Sequence, residues 1–477
     1  MSKSIKSTIL PILLALKATG ISGAVQASPY QNVDSMLQAA RPSACAAGSE
    51  LCTLVQDLDP LRQYEPLRSN ALLTLIPVAD GSLRAASEGT MRQMMSVLND
   101  RLRHVKYTRP LESSAAELSP PSDPAKKEEK KAEHKDEKLK TEAKTEAKTE
   151  PKTEAKTEPK TAPEKKLEKT SGKIHEKKLE KSGISSGDPE ENHHRGAWIQ
   201  FLGQEARQNV RDDIPGYAAE VLGAIVGRDF LVSPNAIFGI AGGYQHAHVN
   251  SKGPSGSYLD IKRLHATFYG SYDFSRPYYI HWSATVADLQ YDNKRHIFVP
   301  LLQDTHVPFV RIAQADFDGW EANATLETGY VYRCGHLEFI PKIMLLYSHL
   351  ETDNYYENDA FDLNLSVKYE NIDNLPLGAG FKLQYINEFE KAYVIPEMHA
   401  YAFYDFLRDP QTATASMLGG GFDFLSEGVR PAPAGIEVGV GFAVHSYQNT
   451  AVIIQYDYAA REDYHSHQAF IKVRHEW

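Results

Sequence analysis

The sequence predicts an all-β transmembrane barrel of 12 antiparallel strands, preceded by a small α-helical region and a disordered Lys/Glu-rich linker. Three observations lead to this fold class. The N-terminus has the pattern of an export signal, the second half alternates apolar and polar residues, and the last strand ends in tryptophan. Twelve strand candidates over residues 196–477 leave about 23 residues for each strand and its loop, which suits strands of about 10 residues tilted across a bilayer.

Residues 1–27 have the parts of a signal peptide. Lys3 and Lys6 make the start basic, an apolar stretch covers residues 9–16, and small residues precede Ala27. The apolar stretch is too short to span a bilayer. We expect Sec-dependent export with cleavage near Ala27; a buried N-terminal helix is the alternative.

Residues 28–109 are predicted to form a short helical region. Apolar residues recur there every three or four positions, in three runs: Val33, Met36, Leu37 and Ala40; Leu51, Leu54, Val55 and Leu58; Met91, Met94 or Met95, Leu98, Leu102 and Val105. The strongest helix is expected over 84–106. So short a region buries only a small core, so we expect it to depend on the barrel, a partner or a disulfide.

Three cysteines occur in the chain. Cys45 and Cys52 lie close together in an exported sequence, which predicts a disulfide between them, with two separate thiols as the alternative. Cys334 is then left as a free thiol in a predicted tight turn.

Residues 110–195 are predicted to be a low-complexity linker. From residue 140 the chain repeats Lys-Thr-Glu-Ala or Lys-Thr-Glu-Pro every four residues. Like charges would face each other at i and i+4 of a helix, and the prolines would interrupt it. We expect a solvated spacer of roughly 50 Å r.m.s. length; peptidoglycan binding through the linker is an alternative role.

Residues 196–477 are predicted to form the barrel. The strand candidates are 198–208, 217–231, 236–248, 259–274, 278–291, 320–333, 337–350, 377–386, 393–406, 436–446, 451–458 and 468–477. A long loop is expected near 293–315, and residues 361–369 and 414–420 are assigned to hairpins beyond the membrane. A soluble sandwich or a lipocalin would also alternate, but the export signal, the strand number and the terminal aromatic together favour the outer membrane.

The two faces of the last strand differ. Ile471, Val473, His475 and Trp477 form the face predicted to contact lipid, and Phe470, Lys472, Arg474 and Glu476 form the face predicted to line the lumen.

The predicted inward face is rich in glycine, at Gly223, Gly227, Gly378, Gly380, Gly439 and Gly441. Glycine weakens a strand unless another group approaches it closely. We therefore expect a helix inside the barrel to pack against these positions, with relief of barrel curvature as the alternative.

Several segments, taken in order, resemble those of a known family: 196–200, 223–229, 238–244, 268–272, 317–320, 326–330 and 471–477. With them the chain resembles the classical autotransporters of the type V secretion family, over most of the mature sequence apart from the linker. The stretch 98–102 is similar to the family's pore helix. The resemblance implies a lumen helix and insertion by the outer-membrane assembly machinery, which would recognise Ile471, Val473, His475 and Trp477 as its signal.

The sequence departs from the family pattern in two places. Residues 28–83 leave no room for a large passenger, and residues 107–197 separate the expected pore helix from the first strand. A subset of the family cleaves itself at an Asn-Asn pair, but Ser96 and Val97 stand near that position. We therefore predict no self-cleavage there.

The sequence does not suggest an enzyme or a cofactor. Candidates for loop-side chemistry are His246 with His248, His465 with His467, and Asp353 with Glu357, but alternating histidines in exposed loops are more often solvated than metal-bound, so we predict no metal site. A net charge of -10 gives no reason to propose nucleic acid as a partner.

Two functions fit these expectations. The first is an outer-membrane barrel that translocates or displays a short N-terminal segment. The alternative is a pore-forming or structural outer-membrane protein with a periplasmic arm. The expected partners are outer-membrane lipid and lipopolysaccharide, the assembly machinery and periplasmic chaperones.

Overall fold

The computed structural model describes residues 29–77, 83, 195–233, 235–254, 256–274, 277–300 and 308–477. The predicted signal peptide and the helix expected over 84–106 lie outside the described residues. So does the predicted linker, except for Arg195, which begins the first strand.

The second half of the chain is built from β-strands. In chain order the strands are β1 Arg195–Gln208, β2 Tyr217–Ser233, β3 Ala236–Ser251, β4 Tyr258–Asp273, β5 Tyr278–Val299, β6 Phe309–Tyr330, β7 Tyr332–Cys334, β8 Leu337–Thr352, β9 Tyr355–Tyr356, β10 Leu365–Tyr369, β11 Ile372–Tyr385, β12 Asn387–Glu388, β13 Ala392–Arg408, β14 Thr412–Met417, β15 Phe424–Glu427, β16 Ala434–Ser446, β17 Thr450–Arg461 and β18 Tyr464–Glu476. Twelve of them, β1–β6, β8, β11, β13 and β16–β18, form the barrel wall. The predicted 12-stranded antiparallel barrel is therefore confirmed.

The barrel closes between its first and last strands. β1 pairs with β18 from Gly196 opposite Glu476 to Gln208 opposite Tyr464. The backbones of Arg195 and Trp477 add two hydrogen bonds, of 3.1 and 3.0 Å. Every strand of the wall thus has two neighbours, and no barrel edge is left open.

Side chains alternate between the lumen and the outside, as the period of a strand requires. In β18 the side chain of Trp477 is 53% exposed, whereas Arg474 is 1% exposed. The outward face of β16 is likewise apolar: Ile436, Val438 and Val440 are all exposed. A continuous outer band of exposed apolar residues is typical of a lipid-facing barrel wall.

The two ends of the barrel differ in the length of their connections. At the end that holds Arg195 and Trp477, here called the terminus end, the connections are short: 234–235, 274–277, 331–336, 386–391 and 447–449. At the opposite end, here called the long-loop end, they are 209–216, 252–257, 300–308, 353–371, 409–433 and 462–463.

The β5–β6 hairpin is longer than predicted. The expected long loop near 293–315 is wrong, because β5 continues to Val299 and β6 begins at Phe309, with unbroken pairing between them. The apolar signal stops earlier because the outward residues Asp292, Lys294 and His296 are polar. This part of the hairpin rises beyond the lipid-facing band, where an apolar outer face is not required.

Residues 29–77 form a small helical unit, here called the head. It contains α1 Pro29–Ala47, α2 Glu50–Leu58, a 3-10 turn at Pro60–Gln63 and α3 Glu65–Leu73. The predicted apolar faces of α1 and α2 are buried, and a disulfide joins Cys45 to Cys52. Arg41 bonds to Asp59 at 2.7 Å. None of the helices in the described part of the chain is both long and apolar enough to cross a membrane.

The two longest connections, 353–371 and 409–433, form a second small sheet, here called the lid. Its strand order is β15-β14-β10-β9. The segments 361–369 and 414–420 lie outside the barrel wall, as predicted. β10 pairs with β9 and β14 pairs with β15, and the two strand pairs form one sheet because β10 also pairs with β14.

One apolar core joins the head, the inner face of the lid and the upper lumen. The barrel contributes inward residues near the long-loop end, among them Ile297, Val299, Ala313, Phe317 and Leu350. The head contributes Leu54, Leu58, Leu75 and Ile76, and the lid contributes Leu365, Val367, Ala415 and Met417. The long-loop end of the barrel is thus packed with protein.

Candidate functional site

The candidate functional site is the junction at which the head, the lid and the barrel wall meet. Its centre is Arg295, on the inward face of β5. The Arg295 guanidinium donates hydrogen bonds to both carboxylate oxygens of Glu357, at 2.8 and 2.5 Å. It also donates to the backbone carbonyls of Thr74 at 3.0 Å and Leu363 at 2.9 Å. One side chain of the wall therefore binds the lid and the head together.

Glu357 and Thr74 complete this network. Glu357 also accepts a bond of 2.8 Å from the backbone N–H of Leu365, which begins β10. The Thr74 hydroxyl accepts from the backbone of Phe298 at 3.2 Å and donates to Ala71 at 2.7 Å. Buried charges and hydroxyls are tolerated when their hydrogen bonds are made, and the bonds of this network span the head, the lid and β5.

A second contact begins at the start of α2. The Glu50 carboxylate pairs with Arg311 of β6 at 2.6 Å. The backbone N–H of Glu50 donates to the carboxylate of Asp362 in the lid, at 3.1 Å. Ser49 makes no side-chain cap for this helix, and the lid supplies an acceptor for one of the N–H groups that lack a partner within the helix.

Further contacts fix α1 and the end of the described head segment. The Asn32 amide donates to the carbonyl of Leu425 in β15, at 2.9 Å. Gly421, with φ at +106°, leaves room for Met36 against the lid. The backbone N–H of Leu83 donates to Gln411 at 3.2 Å. The head, and Leu83 beyond it, are therefore bonded to the lid at the long-loop end.

Aromatic rings anchor the lid inside the barrel. Tyr355 of β9 stacks on Phe317 of β6, with ring centroids 4.2 Å apart. Phe317 in turn stacks on Tyr291 at 4.9 Å. Burial raises the pKa of Tyr355 well above its usual value, so the ring stays neutral in this apolar layer.

The lower lumen, toward the terminus end, also contains buried charges. Arg263 pairs with Glu321 at 2.9 Å, and Lys342 pairs with Glu327 at 3.1 Å. These charges lie among other buried polar residues on the inward face. The lumen thus changes from apolar near the lid to a mixture of paired charges and a second apolar cluster, which includes Trp198, Tyr269 and Ile395.

All six predicted lumen glycines occupy inward positions of β2, β11 and β16. At five of them the space that a Cβ would fill is taken by atoms of adjoining strands: Gln245 at Gly223, Trp198 at Gly227, Tyr401 at Gly380, His399 at Gly439 and Glu397 at Gly441. At Gly378 the nearest atom, the Cβ of Phe403, is 3.6 Å away. In the described residues the close approach therefore comes from neighbouring strands; the helix expected to supply it lies outside them.

The predicted assembly-signal residues all lie on the outer face of β18. Ile471, Val473 and Trp477 are exposed. The ring of His475 stacks on Trp477 at 6.1 Å between centroids, and the guanidinium of Arg228 lies 5.6 Å above the Trp477 ring. Recognition by the assembly machinery stays a prediction.

The candidate residues for loop-side chemistry are dispersed. His246 and His248 lie on the outer wall beside Asp260, whereas Glu357 is buried against Arg295. Across the described residues no group of three or more His, Cys, Asp or Glu side chains is placed to hold a metal ion.

Sequence reasoning missed Arg295, Arg311 and Asp362, and it named Glu357 only as a candidate for loop-side chemistry with Asp353. One signal was present in β5, where Arg295 shares the strand period with Ile297 and Val299. A charged residue within an apolar inward row indicates a buried partner. The partner itself, Glu357, lies in a long connection without periodicity, so the sequence offers no means to identify it.

Comparison with known proteins agrees with this architecture. The family model described as autotransporter beta-domain matches residues 197–457, more than half of the chain. Outer membrane protein B of Rickettsia prowazekii is 24% identical over 297 residues, covering 61% of this chain and 18% of that protein. Outer membrane protein A of Rickettsia conorii is 25% identical over 301 residues, covering 62% and 14%. The chain thus spans less than a fifth of these relatives.

Two solved structures are also similar. The translocator domain of the autotransporter NalP from Neisseria meningitidis has a TM-score of 0.46 at 13% identity, covering 61% of this chain and 90% of that one. The transport unit of AIDA-I from Escherichia coli has a TM-score of 0.41 at 13% identity, covering 62% and 93%. On the match of the family model and the closed 12-stranded barrel, the chain belongs to the autotransporter family, and its second half is an outer-membrane β-domain.

Proposed function

We propose that this protein displays its own head on the outer surface of the outer membrane. The observation that carries the proposal is the attachment of the head to the long-loop end, through Arg295, Arg311 and the lid. In outer-membrane barrels the short turns face the periplasm and the longer loops face outward. The head would therefore lie outside the cell, as a very small passenger.

The positions of the chain ends support a translocator role. Leu83 is held at the long-loop end, whereas Arg195 is held at the terminus end by Trp477. The connection between them joins opposite ends of a closed barrel whose outer wall faces lipid. The described residues on the two sides of this connection are thus held at opposite ends of the barrel, which supports a translocator role.

The alternative function, a pore or structural protein with a periplasmic arm, is less well supported. An arm would place the helical residues at the terminus end, and the described head lies at the other end. An open pore would need an aqueous path past the lid, where Tyr291, Phe317 and Tyr355 are stacked. A closed display barrel fits both features.

Delivery to the membrane completes the proposal. The signal peptide would be cleaved near Ala27 after Sec export. Periplasmic chaperones and the assembly machinery would then recognise the last strand through Ile471, Val473, His475 and Trp477. Contact of the linker with peptidoglycan remains a secondary proposal, and the display function needs neither a catalytic residue nor a cofactor.

Epitope tags on whole cells test the proposal. One tag is inserted after Gln63, at an exposed position of the head, and a matched tag after Glu390, at an exposed position of a terminus-end turn. Antibody should stain intact cells with the first tag, and should stain cells with the second tag only after permeabilisation. Staining of intact cells through the Glu390 tag alone would show that the barrel has the opposite orientation, and it would contradict display of the head.

A further inference from the structure

The outer wall carries a group of basic side chains at the long-loop end of the closing seam. Arg207 of β1 lies directly opposite His465 of β18 in the strand register. The Lys252 ammonium donates a bond of 2.9 Å to the carbonyl of Gln208, the residue after Arg207. His467 lies beside His465, with ring centroids 5.8 Å apart. Arg207, Lys252, His465 and His467 are called the seam cluster below.

The seam cluster contains two neighbouring cations, Arg207 and Lys252. Arg207 has one acidic partner, Glu205 at 2.5 Å, yet its side chain remains 55% exposed. Of the other nearby carboxylates, Glu462 and Asp463 pair with Arg211, and Glu220 of β2 lies opposite Glu205 in the strand register. Partial burial, and then the charge of Arg207, lower the pKa of Lys252. An added anion would therefore relieve repulsion between neighbouring cations.

The cluster lies where the apolar band of the wall ends. Below it on the outer face are Ile454 and Ile471, both exposed. Between them and the cluster stands Tyr456, whose hydroxyl is 2.6 Å from Nδ1 of His467. Tyrosines mark the interfacial girdle of a membrane barrel, with the ring toward lipid and the hydroxyl toward water. The seam cluster is therefore at headgroup level, on the side of the long loops.

We propose that the seam cluster binds a phosphate group of the outer-leaflet glycolipid, of the lipopolysaccharide class. The Arg207 guanidinium presents a planar fork that matches phosphate oxygens, and Lys252 adds a point charge. His465 and His467 supply ring N–H groups beside it. Ile454, Ile471 and the ring of Tyr456 lie where acyl chains of the same lipid would pass. The ligand thus binds through both its phosphate and its hydrocarbon.

The test uses the full-length protein purified in detergent. Binding of lipopolysaccharide is measured by native mass spectrometry for the wild type and for R207Q/K252Q. Lys262 of β4 and Lys294 of β5 face outward on another part of the wall. The matched control K262Q/K294Q therefore removes the same amount of positive charge away from the seam cluster. Heat modifiability on gels shows that each variant is folded.

We expect R207Q/K252Q to bind lipopolysaccharide at least about tenfold more weakly, because two charge-assisted phosphate contacts are lost. K262Q/K294Q should bind lipopolysaccharide as tightly as the wild type does. All three proteins should bind dephosphorylated lipopolysaccharide with the same affinity. Equal binding by R207Q/K252Q and wild type would overturn the site. Full competition by inorganic phosphate at low concentration would overturn the assignment to a lipid and point to a soluble anion.

Discussion

Arg295 and Glu357 form a doubly hydrogen-bonded ion pair inside the apolar layer, where neither side chain is more than 2% exposed. An isolated charge in such surroundings is strongly unfavourable, and the pair is stable there because its remaining hydrogen bonds are made to the backbone. One of these bonds reaches Thr74 of the head. The pair therefore connects attachment of the head to closure of the lid.

The first prediction concerns this pair. Arg295→Met should lower the free energy of unfolding of the head and lid by about 3–5 kcal/mol, because Glu357 is left as an unpaired buried charge. The measurement is the guanidinium concentration at which protease first cuts the head of the purified protein. The double variant R295M/E357L has no uncompensated charge and should recover most of the loss. If R295M/E357L is no more stable than R295M, the pair does not act as described.

The Glu50–Arg311 pair gives a contrasting prediction. Its side chains are 31% and 33% exposed, so water screens the charges. Arg311→Gln should therefore cost no more than about 1 kcal/mol in the same assay, with the loss decreasing at high salt. A loss as large as that of Arg295→Met would show that Glu50 is held by more than the ion pair.

The third prediction concerns the inward glycines. Gly227 lies opposite Trp198, and a Cβ there would overlap the indole ring. Trp198 in turn donates to the hydroxyl of Tyr269 at 2.8 Å. Gly227→Ala should destabilise the barrel by about 1–3 kcal/mol through overpacking, measured as a lower temperature of heat modification. Gly378→Ala is the matched control, since its nearest neighbour is 3.6 Å away; an equal effect at both positions would contradict the overpacking account.

The fourth prediction separates assembly from stability at Trp477. Trp477→Ala keeps the two backbone bonds to Arg195 and loses the ring contacts with His475 and Arg228, of which the cation–π contact is worth about 0.5–1 kcal/mol. Insertion into the outer membrane should decline far more than this cost implies, because the assembly signal is incomplete. The comparison is between the yield of inserted protein in cells and the unfolding of protein refolded in detergent. Normal insertion of the Trp477→Ala protein would contradict the proposed role of Trp477 in the assembly signal.

Much of the barrel was predictable because its pattern is local. In β18 the alternation of Ile471 and Val473 with Lys472 and Arg474 specifies both faces directly, and lipid on one side strengthens that contrast. The upper half of β5 was not predicted as a strand because this local pattern ends there. From Asp292 to His296 the outward residues are polar, and the apolar signal that marks a strand disappears there.

The candidate site was much less predictable. The buried face of α1 follows from its spacing, but nothing in that spacing indicates that Asn32 bonds to Leu425, far along the chain. Contacts of this kind depend on which loops the closed barrel brings together. The neighbours of the lumen glycines also could not be read from the sequence. Tyr401, for example, lies against Gly380 because of the β11–β13 register.

Labelling of cysteines on intact cells tests the central claim most directly. The native thiol of Cys334 is exposed and free at the terminus end, and Gln63→Cys adds a thiol on the exposed surface of the head. A membrane-impermeant maleimide should label Gln63→Cys on intact cells, whereas Cys334 should react only after permeabilisation. Labelling of Cys334 on intact cells, with Gln63→Cys protected until permeabilisation, would contradict display of the head at the cell surface.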